Sequence, residues 1–164
     1  MASQTLPTDA PGVDSAARQR WMRTLALADP EALEAAWQGW QPKPAVQPIR
    51  GPEAGLVMVR ARTDGGGARF NLGEATVTRA TVRLFGEPLA AATVGTSYVL
   101  GTDLEHARLA AIFDGLLSDA GQRERVLAQV VAPLEQEQAE RDGIRHAEAR
   151  STLVDFFTVA REHE

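Results

Sequence analysis

The chain has 164 residues, 44% of them hydrophobic and 24% charged, proportions that suit one globular domain with its own core and not two full domains. Seventeen basic against 22 acidic side chains give a net charge of -5, which disfavours binding to a nucleic-acid backbone. The absence of cysteine excludes disulfides, thiolate metal sites and cysteine nucleophiles together.

Residues 1–14 carry Pro7, Pro11 and small polar side chains without an apolar period. They are expected to form a disordered tail, because nothing in them offsets the entropy of ordering. Residues 15–164 are expected to form a single α+β domain ending in a helical arm from about residue 135. No basic segment followed by an apolar one opens the chain, and no apolar run approaches the ~20 residues of a membrane span, so a soluble cytoplasmic protein is expected.

Trp21, Met22, Leu25 and Ala28 recur at helical spacing, and Asp29-Pro30 reads as an N-cap followed by proline at the first helical position. Two short helices are predicted, the second from Pro30 to about Gly39. Four prolines between Gln41 and Pro52 predict a stiff connector. The period then switches to two from Leu56 to Ala61, and Asp64-Gly65-Gly66-Gly67 supplies a hairpin turn. A return strand over Ala68–Leu72, an interruption at Gly73-Glu74, a β-branched strand over Thr76–Leu84 and a further strand over Ala92–Leu100 follow. Short connections between them favour an antiparallel sheet of three to four strands.

Thr102-x-x-Glu105 reads as a capping box before Leu109, Ile112, Phe113, Leu116 and Leu117, whose spacing defines a helical stripe. Gly121 suits the position after that helix. Val126, Leu127, Val130, Val131 and Leu134 mark another helix that must adjust near Pro133. Beyond Glu135 the pattern stays helical, but Ile144 is its only large apolar residue before Leu153, and a helix polar nearly all round is either solvated or held by another molecule. The predicted class is α+β: N-terminal helices, the antiparallel sheet, then C-terminal helices packed on one face.

The residues needed for self-sufficient chemistry are not grouped in the sequence. His106, His146 and His163 stand far apart, and no metal site is expected. The glycine run at 65–67 lacks a following Gly-Lys-Ser/Thr, and Gly101-Thr102-Asp103 reads as a helix cap in preference to an anion site. Ser97 has no nearby His to activate it, and His106 reads as a solvated surface histidine. Charge is more informative. Between Leu56 and Leu84 five arginines (Arg60, Arg62, Arg69, Arg79, Arg83) outweigh two acids, whereas residues 103–148 are strongly acidic. If Arg60, Arg62, Arg79 and Arg83 shared a sheet face, their guanidinium forks could grip a polyphosphate or a partner's carboxylates; the alternative is an ordinary solvated sheet face.

The stretch Phe70–Leu84, with Gly73-Glu74-x-Thr76-x-Thr78-Arg79 at its centre, together with Arg50-Gly51-Pro52-Glu53, Tyr98-Val99-Leu100-Gly101 and Val154-Asp155-Phe156-Phe157-Thr158, resembles the PhnG family. That family is the G subunit of the bacterial carbon–phosphorus lyase core complex. The resemblance covers about Arg20–Arg161. It implies phosphonate catabolism, in an assembly with I, H and J subunits and the L protein that displaces adenine from ATP by methylphosphonate. The I subunit would carry the chemistry, ATP would be the assembly's substrate, and this chain would bind no cofactor alone. Glu74, Thr78 and Arg79 are then the candidates for reaching a shared active site. Phe156 and Phe157, on one helical face near the end of the chain, are candidates for docking on a partner. A different class of reading is a free-standing small-ligand-binding α+β domain without catalytic activity.

Overall fold

A computed structural model describes residues 14–62 and 67–151. Helices α1 (Ser15–Ala26) and α2 (Pro30–Gly39) precede strands β1 (Ala45–Arg62), β2 (Arg69–Phe85) and β3 (Thr93–Leu100). Helices α3 (Leu104–Ser118), α4 (Ala120–Val126) and α5 (Ala132–Ser151) follow, the last two joined by a π-helical turn at Leu127–Val131. The strands form one antiparallel sheet in the order β1-β2-β3, so the expected α+β class holds. Residues 63–66 of the predicted hairpin turn lie outside the described residues, but the pairing of Arg62 with Arg69 fixes the hairpin. Residues 1–13 of the expected tail, and Phe156 and Phe157, also lie outside them.

Helix α3 is the centre of the molecule. Its Leu109, Ile112, Phe113, Leu116 and Leu117 are buried against Ala80, Val82, Leu84 and Val99 of the sheet and against the N-terminal helices. Trp37 and Trp40 both meet the Phe113 ring edge-on, with centroids 6.1 Å away, a favoured aromatic geometry. Helix and sheet approach closely at Gly95 and Gly115. A Cβ on Gly95 would overlap the Ala111 carbonyl oxygen and the Gly115 amide, so only glycine fits there.

A charged group sits inside this apolar layer. Asp114 is fully buried; its Oδ1 accepts hydrogen bonds from Arg18 Nε at 3.2 Å and Trp21 Nε1 at 2.9 Å, and its Oδ2 from Arg18 Nη2 at 2.7 Å and the Thr96 amide at 2.9 Å. One carboxylate thus ties α3 to α1 and β3, with a forked guanidinium supplying the counter-charge.

Several local expectations change. The connector over Gln41–Pro52 gives way at Ala45 to β1, which holds Pro48 and Pro52. An edge strand tolerates proline because its outward N–H groups need no ladder partner, and the pairing shifts register between Pro48 and Arg50 and again between Arg50 and Glu53. Strand β2 runs unbroken through Gly73-Glu74; the irregularity is a shift opposite Val59/Arg60 that leaves Leu72 unmatched. Asp103, not Thr102, caps α3, its Oδ1 accepting from the His106 amide at 2.9 Å. Gly121 lies within α4, whose cap is Asp119, accepting from the Gly121 and Gln122 amides. His106 is buried, with Nε2 2.8 Å from the Leu25 carbonyl oxygen, because α1 folds over the start of α3. The adjustment expected near Pro133 is the π-helical turn: proline lacks an N–H and its ring crowds the carbonyl four residues back, and widening the preceding turn relieves both.

Asp114→Ala removes the charge and leaves the Trp21 and Thr96 donors without their acceptor. Stability should fall by about 3 kcal/mol, read from the urea midpoint. Gly95→Ala should cost about as much by overpacking.

Candidate functional site

Alternation along β2 sorts the predicted site residues. Thr78, Ala80, Val82 and Leu84 are buried toward α3, so Arg79 and Arg83 project from the opposite, outer face. Thr78 is fully buried, and its Oγ1 donates to the Gly101 carbonyl at 2.7 Å, tying β2 to the end of β3. Glu74 pairs across the ladder with Met58 and is exposed, about 13 Å along the strand from Thr78 at the rise of extended chain. Thr78 and Arg79 therefore face opposite ways, and Glu74 stands apart from both. The four arginines are divided likewise. Strand alternation puts Arg60 and Arg62 on the face that carries Met58 and Glu74, opposite Arg79 and Arg83.

Arg79 has partners of its own. Glu53 is its cross-strand neighbour, and Glu53 Oε1 accepts both from Arg79 Nε at 2.8 Å and from Arg50 Nε at 2.7 Å. Residues three apart in a regular strand point to opposite faces. Arg50 and Glu53 meet because β1 bulges there: Arg50 pairs with Thr81 and Glu53 with Arg79, so three steps on β1 span two on β2. Gly51 makes the bulge possible at φ +64°, where a Cβ would stand 2.7 Å from the Glu53 amide nitrogen and 2.8 Å from the Arg79 carbonyl oxygen. Beside the cluster, a groove of about 190 Å³ is lined by Leu56, Val57, Val77, Arg79 and Tyr98. The two arginines hold the Glu53 carboxyl below the usual glutamate range, through the hydrogen bond from Arg50 first and that from Arg79 second.

Arg50 and Glu53 escaped the residue-by-residue reading because the Gly-Pro between them marked a chain breaker. The signal was present as an Arg-x-x-Glu pair flanking Gly-Pro.

Past the point where α3 ends its cover, β1 and β2 continue as a two-stranded ribbon. Leu56 and Met58 lie on one face and Val57 on the other, and all three are exposed, as is Leu72 on the return strand. Tyr98 and Leu100 continue this apolar surface over the outer face of the sheet. A larger cleft of about 490 Å³ lies between α1 and α5. The hydrogen bonds Thr24–Glu135, Gln138–Thr24 carbonyl and Arg141–Leu27 carbonyl across it hold α5 against α1. Among the described residues no group of three or more His, Asp or Glu side chains is placed to hold a metal ion.

Residues 16–162 match the family described as phosphonate metabolism protein PhnG. The chain belongs to the PhnG family. It is 50% identical over 149 residues to the alpha-D-ribose 1-methylphosphonate 5-triphosphate synthase subunit PhnG of Rhizobium meliloti (strain 1021), an alignment spanning 89% of this chain and 90% of that protein. The resemblance read from the Glu74–Arg79 motif is thereby established over nearly the whole fold. In this member of the PhnG family the motif spans both faces of the sheet: Thr78 serves the inner packing, and Arg79 stands on the outer face, paired with Glu53.

The Arg50–Glu53–Arg79 cluster has a consequence for titration. A carboxyl held down in the folded state stabilises the bulge above its unfolded pKa, and that contribution is lost as pH falls through the lower, folded value. The Glu53 carboxyl followed by NMR should titrate below the ordinary range near 4.3, and Arg79→Gln should move its midpoint upward.

Proposed function

We propose that this chain is the accessory subunit of an assembly that transfers methylphosphonate to C1 of the ATP ribose and releases adenine, and that it is inactive alone. Two findings support this: the homologue from Rhizobium meliloti carries the name of a subunit of the corresponding synthase, and among the described residues nothing covers the apolar ribbon. The partners in this reading are subunits of the I, H and J types with the L protein, in the cytoplasm. ATP is the substrate of the whole assembly, and this chain alone binds no cofactor. Phe156 and Phe157 belong to the docking surface in this reading. Glu74 and Arg79 are the residues through which the chain could reach a shared active site, with Thr78 holding the strand that carries them.

The observation that carries the reading is the ribbon. A continuous apolar run such as Leu56-Val57-Met58-Val59 is the pattern of a strand buried on both faces. Here Leu56 is 65% and Leu72 64% exposed. Burying each such side chain is worth about 1.5–3 kcal/mol, so covering the ribbon supplies a large driving force for association.

Coexpressed with the other subunits, a Leu56→Ser/Met58→Ser variant should lose copurification while keeping its melting temperature, since both side chains are exposed. Undiminished copurification would refute the docking role. Adenine release from ATP plus methylphosphonate should vanish when this chain is omitted from the reconstituted assembly. Turnover by the chain alone, at a rate its companions do not raise, would refute the accessory reading. Glu74→Gln separates the two levels of involvement: reduced turnover in an intact assembly supports a place in the shared site, and unchanged turnover removes it.

A further inference from the structure

We infer that Arg50 and Arg79, held side by side by Glu53 on the outer face of the sheet, bind a tetrahedral phosphorus oxyanion. Each guanidinium carries five N–H donors, and each commits its Nε–H to the same Glu53 oxygen. The Nη groups of both have no hydrogen-bond partner among the described residues, so two pre-oriented forks remain open. One carboxylate neutralises one of the two positive charges, and Arg83 follows on the same face without an ion pair among the described residues. Paired guanidinium forks match the oxygen spacing of phosphate and phosphonate groups, and charge-assisted bonds of this kind are among the strongest available at a surface.

The backbone argues that the convergence is built. Regular pairing would turn Arg50 and Glu53 to opposite faces; the bulge at Gly51 brings them together, and it requires a residue without a Cβ. The lowered Glu53 titration keeps that carboxylate charged, and so able to hold both arginines, throughout the neutral range. Next to the forks, Val57, Val77 and Tyr98 line the groove, which gives an organic substituent on the phosphorus an apolar surface to lie on. The shared chemistry is a phosphorus oxyanion, either a phosphonate group or the end of a triphosphate chain. The choice between those two sources rests on the subunit reading above; the anion site itself does not.

The test titrates the full chain with inorganic phosphate, methylphosphonate and inorganic triphosphate, following the arginine Nε–Hε resonances by NMR. Saturable binding is expected, with Arg50→Gln and Arg79→Gln each weakening it at least about tenfold, which is about 1.4 kcal/mol. Arg60→Gln and Arg62→Gln, on the other ribbon face, should change it less than about twofold, since only the general field is altered. Tighter binding of methylphosphonate identifies the phosphonate source, and tighter binding of triphosphate the phosphoryl source. Glu53→Gln should weaken binding although it removes a negative charge, because the forks lose their common anchor. Absence of saturable binding, equal losses for all four arginine variants, or a gain for Glu53→Gln would overturn the inference. Copurification of Arg50→Gln with the other subunits keeps the two proposals apart: retained association with lost anion binding leaves the subunit reading standing, and retained anion binding by a chain that does not associate leaves the site standing without it.

Discussion

The buried carboxylate of Asp114 imposes the constraint around which the rest of the molecule is arranged. Helix α3 is packed on nearly every side, and an ion in such a place is tolerated only when its oxygens are fully bonded and its charge is answered. Arg18 and Trp21 supply this from α1, and the Thr96 amide from β3. Because donors from α1 and β3 meet one acceptor on α3, the pairing fixes how α1 lies along the β3 edge, and Arg18 Nη2 also reaches Thr96 Oγ1 at 3.2 Å. With α1 on that edge and α3 under the inner face, the described elements leave the outer face of the sheet and the β1–β2 ribbon uncovered. The surfaces proposed for docking and anion binding are those the core does not claim.

Much of this architecture could be read from periodicity alone. The 3.6-residue stripe of Leu109, Ile112, Phe113, Leu116 and Leu117 and the alternation from Thr76 to Leu84 are local patterns with a direct geometric meaning. Asp114 was invisible to that reading, because an aspartate within an amphipathic helix ordinarily marks the solvent face, and its partners lie 96 and 93 positions away. His106 was misplaced for the same reason, since the Leu25 carbonyl that satisfies it belongs to a helix 81 residues earlier. The candidate site was half legible: Arg79 stood in the motif, whereas Arg50 and Glu53 became neighbours only through a bulge. Prolines at 48 and 52 pointed to a connector because the sequence does not say that β1 is an edge strand, where such residues are permitted.

Two parts of the chain depart from what an isolated domain requires, in opposite senses. The ribbon carries exposed apolar side chains on both faces with nothing against them among the described residues, while α5 beyond its first turns has almost none: residues 142–149 are exposed, Ile144 among them. The start of α5 is held to α1 by polar bonds from Thr24, Gln138 and Arg141, individually modest in net worth. Among the described residues Leu134 anchors the start of α5 in the core, while the ribbon and the exposed end of α5 project from it.

The edge of β1 sharpens where a neighbour can attach. A long unpaired edge invites another strand, yet the half of β1 nearer the body is blunted: Pro48 and Pro52 lack donors, and two register shifts twist the strand between them. The half from Gly55 to Arg62 holds no proline, and its one shift lies at Val59/Arg60. Among the described residues, open backbone groups and uncovered apolar side chains therefore coincide in the same eight residues, directly beyond the Arg50–Glu53–Arg79 cluster. A neighbour that grips the ribbon by either means arrives beside those guanidinium forks, so association and anion recognition converge on one end of the sheet.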